Sequence, residues 1–145
     1  MKLLILFFTA CLFSDLTWQG NFSEATTQAA KENKLIMINF SGSDWCGPCI
    51  RLRKEILESA TFENYAKDHL VLVRADFPRQ KKNQLDPAQI KRNEVLADKY
   101  NPEGKFPFTL LVDKNGKVLK SWDGYPNESP EVFITEINEF ADAGR

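Results

Sequence analysis

Six residues without a charge, LIMINF at positions 35–40, lead through a short polar link into Trp45-Cys46-Gly47-Pro48-Cys49. The run lacks the period-two alternation of a half-solvated strand, so it suits a strand covered on both faces. From Cys46 to about Ser59 the period changes. Cys49, Leu52 and Ile56 fall on one helical face, and Arg51, Lys54, Glu55 and Glu58 fall on the other. A doubly buried strand feeding straight into a helix that opens on two cysteines restricts the chain to an α/β architecture. Three readings of the cysteines remain open: a redox pair, half of a metal site, or two buried thiols that happen to be close.

The rest of the chain supplies the layers such a strand needs. NFSEATTQAAKENK (21–34) predicts a helix capped by Ser23. HLVLVRAD (69–76) predicts a second buried strand, and the polar residues 77–86 a loop. Pro87 begins a helix with Ile90, Leu96, Ala97 and Tyr100 on its apolar side. FTLLVDKNGKVLKSW (108–122) predicts a hairpin, with Asn115-Gly116 suited to positive φ at the turn. Ser129-Pro130-Glu131 starts a last helix that packs through Val132, Phe133, Ile137 and Phe140. The expected order is α-β-α-β-α-β-β-α in one domain, without internal repeats.

The chain has 145 residues and three cysteines, so one cysteine is left over after any pairing. Its N-terminus, MKLLILFFTACLF, has Lys2 followed by an apolar run too short to span a bilayer but suited to a secretory signal. Residues 1–14 are therefore expected to be a signal peptide, and residues 15–145 the mature domain. FTAC resembles a bacterial lipobox ending at Cys11, with Phe8 where leucine is usual, so a lipid anchor is the alternative form of export. Either form leaves Cys46 and Cys49 as the only cysteines for redox chemistry. A formal net charge of −1 gives no electrostatic reason to expect nucleic acid, and RQKK at 79–82 reads as a solvated loop. The single histidine, His69, reads as a surface or strand-edge residue.

Placement at a helix start gives a Cys-x-x-Cys pair specific chemistry. Unsatisfied backbone N–H groups and the positive end of the helix dipole favour the thiolate of Cys46, whose pKa in such motifs falls from about 8.5 to about 3.5–7.5. Two intervening residues bring Cys49 back within disulfide reach. Cys46 is then the attacking thiol at an exposed helix tip, and Cys49 the resolving thiol one turn inside. Pro48 stiffens the turn after Gly47 without wasting a donor. Trp45 offers a flat apolar surface for a substrate chain.

This arrangement resembles the thioredoxin-like superfamily, whose active-site pentapeptide is Trp45-Cys46-Gly47-Pro48-Cys49, and the likeness extends from about Leu16 to the C-terminus. The opening LTWQGNFSEATTQAAKENKLIMINF resembles bacterial domains related to periplasmic disulfide-reducing modules. FPFTLLVDKNGKVLKSWDGY resembles the segment carrying the family's cis-proline, hairpin and trailing glycine. The resemblance implies a thioredoxin fold with a central mixed β-sheet flanked by helices. It also implies that Pro107 is a cis-proline facing the cysteines and that Phe106 presents its backbone to a bound peptide. The implied activity is thiol–disulfide exchange on protein substrates, more in keeping with a reductase, in a monomer of the bacterial periplasm or its membrane surface. Electrons would come from a partner dithiol, with no dissociable cofactor.

Three departures from the family pattern stand out. Asn39 occupies the place of the family's buried aspartate, and that aspartate's lysine partner falls near Leu72. Asp44 is charged but expected to be exposed, and does not replace the buried acid. One extra residue lengthens the link before Trp45, and residues 77–93 are longer than a compact thioredoxin needs. Two other functional classes compete. A metal-binding protein would need a second ligand pair, and no cysteine or histidine pair supplies one. A redox-inactive binding module would have no use for an intact cysteine pair.

Overall fold

The computed structural model describes residues 16–141. The signal peptide expected at 1–14, with Cys11, lies outside them. Five strands form one mixed sheet in the order β1-β3-β2-β4-β5. They are β1 (Trp18–Gln19), β2 (Leu35–Ser41), β3 (Leu70–Asp76), β4 (Phe108–Val112) and β5 (Val118–Asp123). β1, β3 and β2 run parallel, whereas β4 is antiparallel to both β2 and β5.

Every residue of β2 is buried, because helices cover both faces of the sheet. Met37, with Leu72 and Leu111 from the flanking strands, packs against Leu52, Ile56, Phe62, Phe133 and Ile137. These come from α2 (Gly47–Leu52) and the turn after it, α3 (Ala60–His69) and α5 (Pro130–Asn138). Ile36, Ile38 and Phe40 face the other way, toward Ala25 and Ala29 of α1 (Phe22–Glu32) and Leu96 and Tyr100 of α4 (Pro87–Tyr100). Alternate residues of one strand thus hold two separate cores.

Several local expectations are corrected. Asn21, not Ser23, caps α1, its side chain accepting from the Ser23 and Glu24 amides. The helical stretch does not end at Ser59. One π turn spans Arg53–Leu57, and Ser59 then caps α3, an element with only Phe62 and Ala66 as buried markers. His69 ends this helix, exposed at the surface as expected and stacked on Tyr65. β1 is too short for a sequence signal. In the hairpin only Gly116 takes positive φ, +80°, and Asp113 closes a longer turn by pairing with Lys117. Ile90 and Val132 are substantially exposed, whereas Asn93 takes a buried place on α4. The Ser129 cap and Pro130 start of α5 match expectation.

Candidate active site

The link from β2 to α2 is built around Trp45. Gly42 O accepts from both Trp45 N (3.3 Å) and Cys46 N (2.9 Å), which turns the chain sharply toward the helix. A Cβ on Gly42 would lie 2.3 Å from the Trp45 indole, so only glycine lets the ring lie on the backbone there. Ser43 donates through both N (2.9 Å) and Oγ (2.5 Å) to the Asp76 carboxylate at the end of β3. The extra residue in this link is thereby fixed to the neighbouring strand.

Cys46 is the N-cap of α2 and is joined to Cys49 by a disulfide, with Cα atoms 5.2 Å apart. The Cys49 amide points at Cys46 Sγ at 3.3 Å. The same N–H would stabilise a Cys46 thiolate once the bond is reduced. Gly47 and Pro48 are exposed, and the space above Gly47 is open. Cys46 itself is only 5% exposed and Cys49 3%, so the expected exposed tip is largely covered in this oxidised state. Exposure alone does not separate the two sulfurs; the cap geometry does.

The Phe106–Pro107 bond is cis, as the resemblance implied. Asn101 holds the approach to it, bonding both N and O of Lys105, and Gly124 N donates to Pro107 O. The Phe106 ring meets Trp45 edge-on at 5.4 Å, which brings the proline loop beside the cysteine motif. Phe77 extends this aromatic cluster, with its ring edge-on to Phe106 at 5.5 Å and its carbonyl accepting from Trp45 Nε1 at 2.7 Å.

The loop after Phe77 folds back over the site. The Asp44 carboxylate accepts from Arg79 N, Gln80 N and Asn83 Nδ2 at 2.9–3.0 Å. As expected, Asp44 takes no buried acid's part; it is a tether. The Arg79 amide, then the Asn83 side chain, hold its carboxyl below the usual range. A depressed folded-state pKa means the tether is complete above about pH 4 and fails only as pH falls through the lowered value. We expect Asp44→Ala to speed hydrogen exchange at the Arg79 and Gln80 amides by about tenfold or more at neutral pH, with the strand amides unaffected. Unchanged exchange in the loop would show that the carboxylate does not hold it.

Beneath the helix, Asn39 is buried and donates to Thr109 Oγ1 at 3.1 Å. Its register partner on β3 is Arg74, not Leu72, which pairs with Met37. The expectation that both members of the buried charge pair are absent is therefore half corrected, because a cation stands across from Asn39. The Arg74 guanidinium lies 4.1 Å from the centroid of the Trp18 ring, and burial, then the nearby Arg53, pushes its pKa down. Trp122 is a core residue whose Nε1 donates to Glu136. Among the described residues, no cluster of three or more His, Cys, Asp or Glu side chains could hold a metal, and no helix is long and apolar enough to cross a membrane.

The thioredoxin-like domain family matches residues 22–141, spanning the site and both cores. The chain belongs to the thioredoxin-like family. The chain is 36% identical over 124 residues to the disulfide bond reductase DsbH of Chlamydia pneumoniae, covering 86% of this chain and 72% of that one. A solved structure of a DsbH oxidoreductase superposes with a TM-score of 0.79 at 29% identity, covering 89% of this chain and 86% of the other. A thioredoxin from Thermus thermophilus shares the fold, with a TM-score of 0.63 at 16% identity over 90% of each chain.

The cysteines, Trp45, Gly47, Pro48, Phe106 and Pro107 thus fall in one neighbourhood of this thioredoxin-like domain. Sequence reasoning did not single out Gly42, Asp76, Phe77 or Thr109, and it read Arg79 only as part of a solvated loop, whereas its guanidinium lies over Trp45. Only Gly42 and Asp76, at the ends of the two central strands, carried a local signal.

Proposed function

We propose that this protein is a thiol–disulfide oxidoreductase that reduces disulfides in other proteins through Cys46 and Cys49. The observation that carries this reading is the Cys46–Cys49 disulfide at a helix N-cap, with the Cys49 amide aimed at Cys46 Sγ. In the reduced form the Cys46 thiolate attacks a substrate disulfide, forming a Cys46–substrate bond and expelling one substrate thiolate. The Cys49 thiolate then attacks Cys46 Sγ and expels the second. Two electrons pass to the substrate, the Cys46–Cys49 bond is restored, and a partner dithiol reduces it again. The indole of Trp45, the open face at Gly47 and Pro48, and the backbone of Phe106 ahead of Pro107 form the platform for the substrate chain.

Likeness to a disulfide bond reductase and the Gly-Pro pair between the cysteines support the reducing direction. The same likeness, with the apolar stretch at 3–13, supports export to the bacterial periplasm. Equilibrating the pair against a glutathione redox buffer tests the direction. A potential near thioredoxin's, about −270 mV, is expected; a value near about −120 mV would make the protein an oxidant.

A further inference from the structure

We propose that the loop at 77–84 selects protein disulfides flanked by acidic residues, with Arg79 as the specificity-determining residue. The proposal rests on the disulfide-exchange reading above and adds the charge of its substrates. The Arg79 guanidinium lies over the Trp45 ring, 3.7 Å from its centroid, next to the reactive pair. Its position is not incidental, because its own amide and that of Gln80 are both held by Asp44. Lys81 and Lys82 follow on the short 3₁₀ turn Lys81–Asn83, both exposed.

The acids nearby accept hydrogen bonds from amides and neutral side chains rather than from these cations. Asp44 binds the loop, Asp76 binds Ser43, and Asp86 caps α4 by accepting from Gln89 N. Among the described residues no carboxylate makes an ion pair with Arg79, Lys81 or Lys82. On the cis-proline side the corresponding cation, Lys105, is neutralised by Glu103 at 3.0 Å and Asp123 at 3.2 Å. The unpaired cations beside the cysteines therefore come from one wall, the loop, where three of them stand against the single anionic tether Asp44. A cation stacked on an indole keeps its outward N–H groups available for a carboxylate, and unpaired charges of one sign raise encounter rates with partners of the other.

The test uses three synthetic peptides that contain the same intramolecular disulfide and differ only in two residues beside one cysteine: Glu-Glu, Gln-Gln or Lys-Lys. Reduced full-length protein is mixed with each, and single-turnover reduction is followed at low ionic strength. The acidic peptide is expected to react about tenfold faster than the basic one, with the neutral peptide between them. The gap should collapse at about 0.5 M salt. Arg79→Glu should reverse the order, Arg79→Gln should level most of it, and Lys81→Glu with Lys82→Glu should narrow it. Equal rates for all three peptides, or a preference that Arg79→Glu leaves in place, would overturn the charge selectivity while the redox reading stands. Failure to reduce even the neutral peptide would remove the redox reading and this proposal with it.

Discussion

Cys49→Ser is expected to accumulate covalent mixed disulfides between Cys46 and its substrates, whereas Cys46→Ser should form none. Both variants should lose turnover by on the order of 10³-fold or more, since each removes one of two obligatory sulfur exchanges. The asymmetry follows from the cap. In Cys49→Ser the residue 49 amide still faces Cys46 Sγ, so the attacking thiolate keeps its stabilising donor while the resolving sulfur is gone. In Cys46→Ser the remaining thiol sits one turn inside the helix, buried and without that donor. Non-reducing electrophoresis and mass spectrometry of the two variants after incubation with a disulfide-bonded protein read the difference directly. Adducts forming equally through either remaining cysteine would exchange or merge the assigned roles. Full activity in both variants would refute the mechanism.

Asn39→Asp is expected to destabilise the protein at neutral and alkaline pH by about 2–4 kcal/mol, and much less near pH 4. Asn39 is 3% exposed and its amide donates to Thr109 Oγ1. A carboxylate there loses its water and gains one hydroxyl donor. Arg74 lies across the register on the same face with Nε and Nη2 unpartnered, but it makes no hydrogen bond to residue 39 where it lies, so without moving it offsets only part of the cost. Desolvation raises the folded-state pKa of the new acid above its unfolded value of about 3.9. Stability is then fully retained below that value and declines as pH rises toward the raised one. Urea unfolding of the variant and the parent between pH 4 and 8 checks the sign. A constant difference across that range would mean that the site is solvated or that Arg74 swings to pair with the acid.

Legibility differed with the reach of each interaction. β2 and β3 were plain because strands buried on both faces carry long apolar runs, and the cysteine pair was plain because its chemistry lies within four residues. The start of α5 was equally readable, since Ser129 and Pro130 act locally. α3 was not, because its inward face holds just Phe62 and Ala66 and the helix before it runs on without a proline or glycine to end it. The Arg79–Trp45 contact joins residues 34 apart in sequence through a tether from Asp44, and no local pattern encodes that distance. The position facing Asn39 was missed for a related reason. Likeness to the family put the lysine position near Leu72, whereas strand register, set by two opposing cores, puts Arg74 beside Asn39.

The π turn after α2 has a bearing on how this domain should be aligned with others. Glu58 N reaches back to Arg53 O at 2.8 Å, five residues earlier, so the turn holds one residue more than a regular helix. That surplus lets the sequence neighbours Ile56 and Leu57 both point inward. A homologue with an unbroken helix would need one residue fewer between Cys49 and Ser59 to cover the same side of the sheet. A gap placed there is a change of helical pitch, and it leaves the spacing of the two sulfurs untouched.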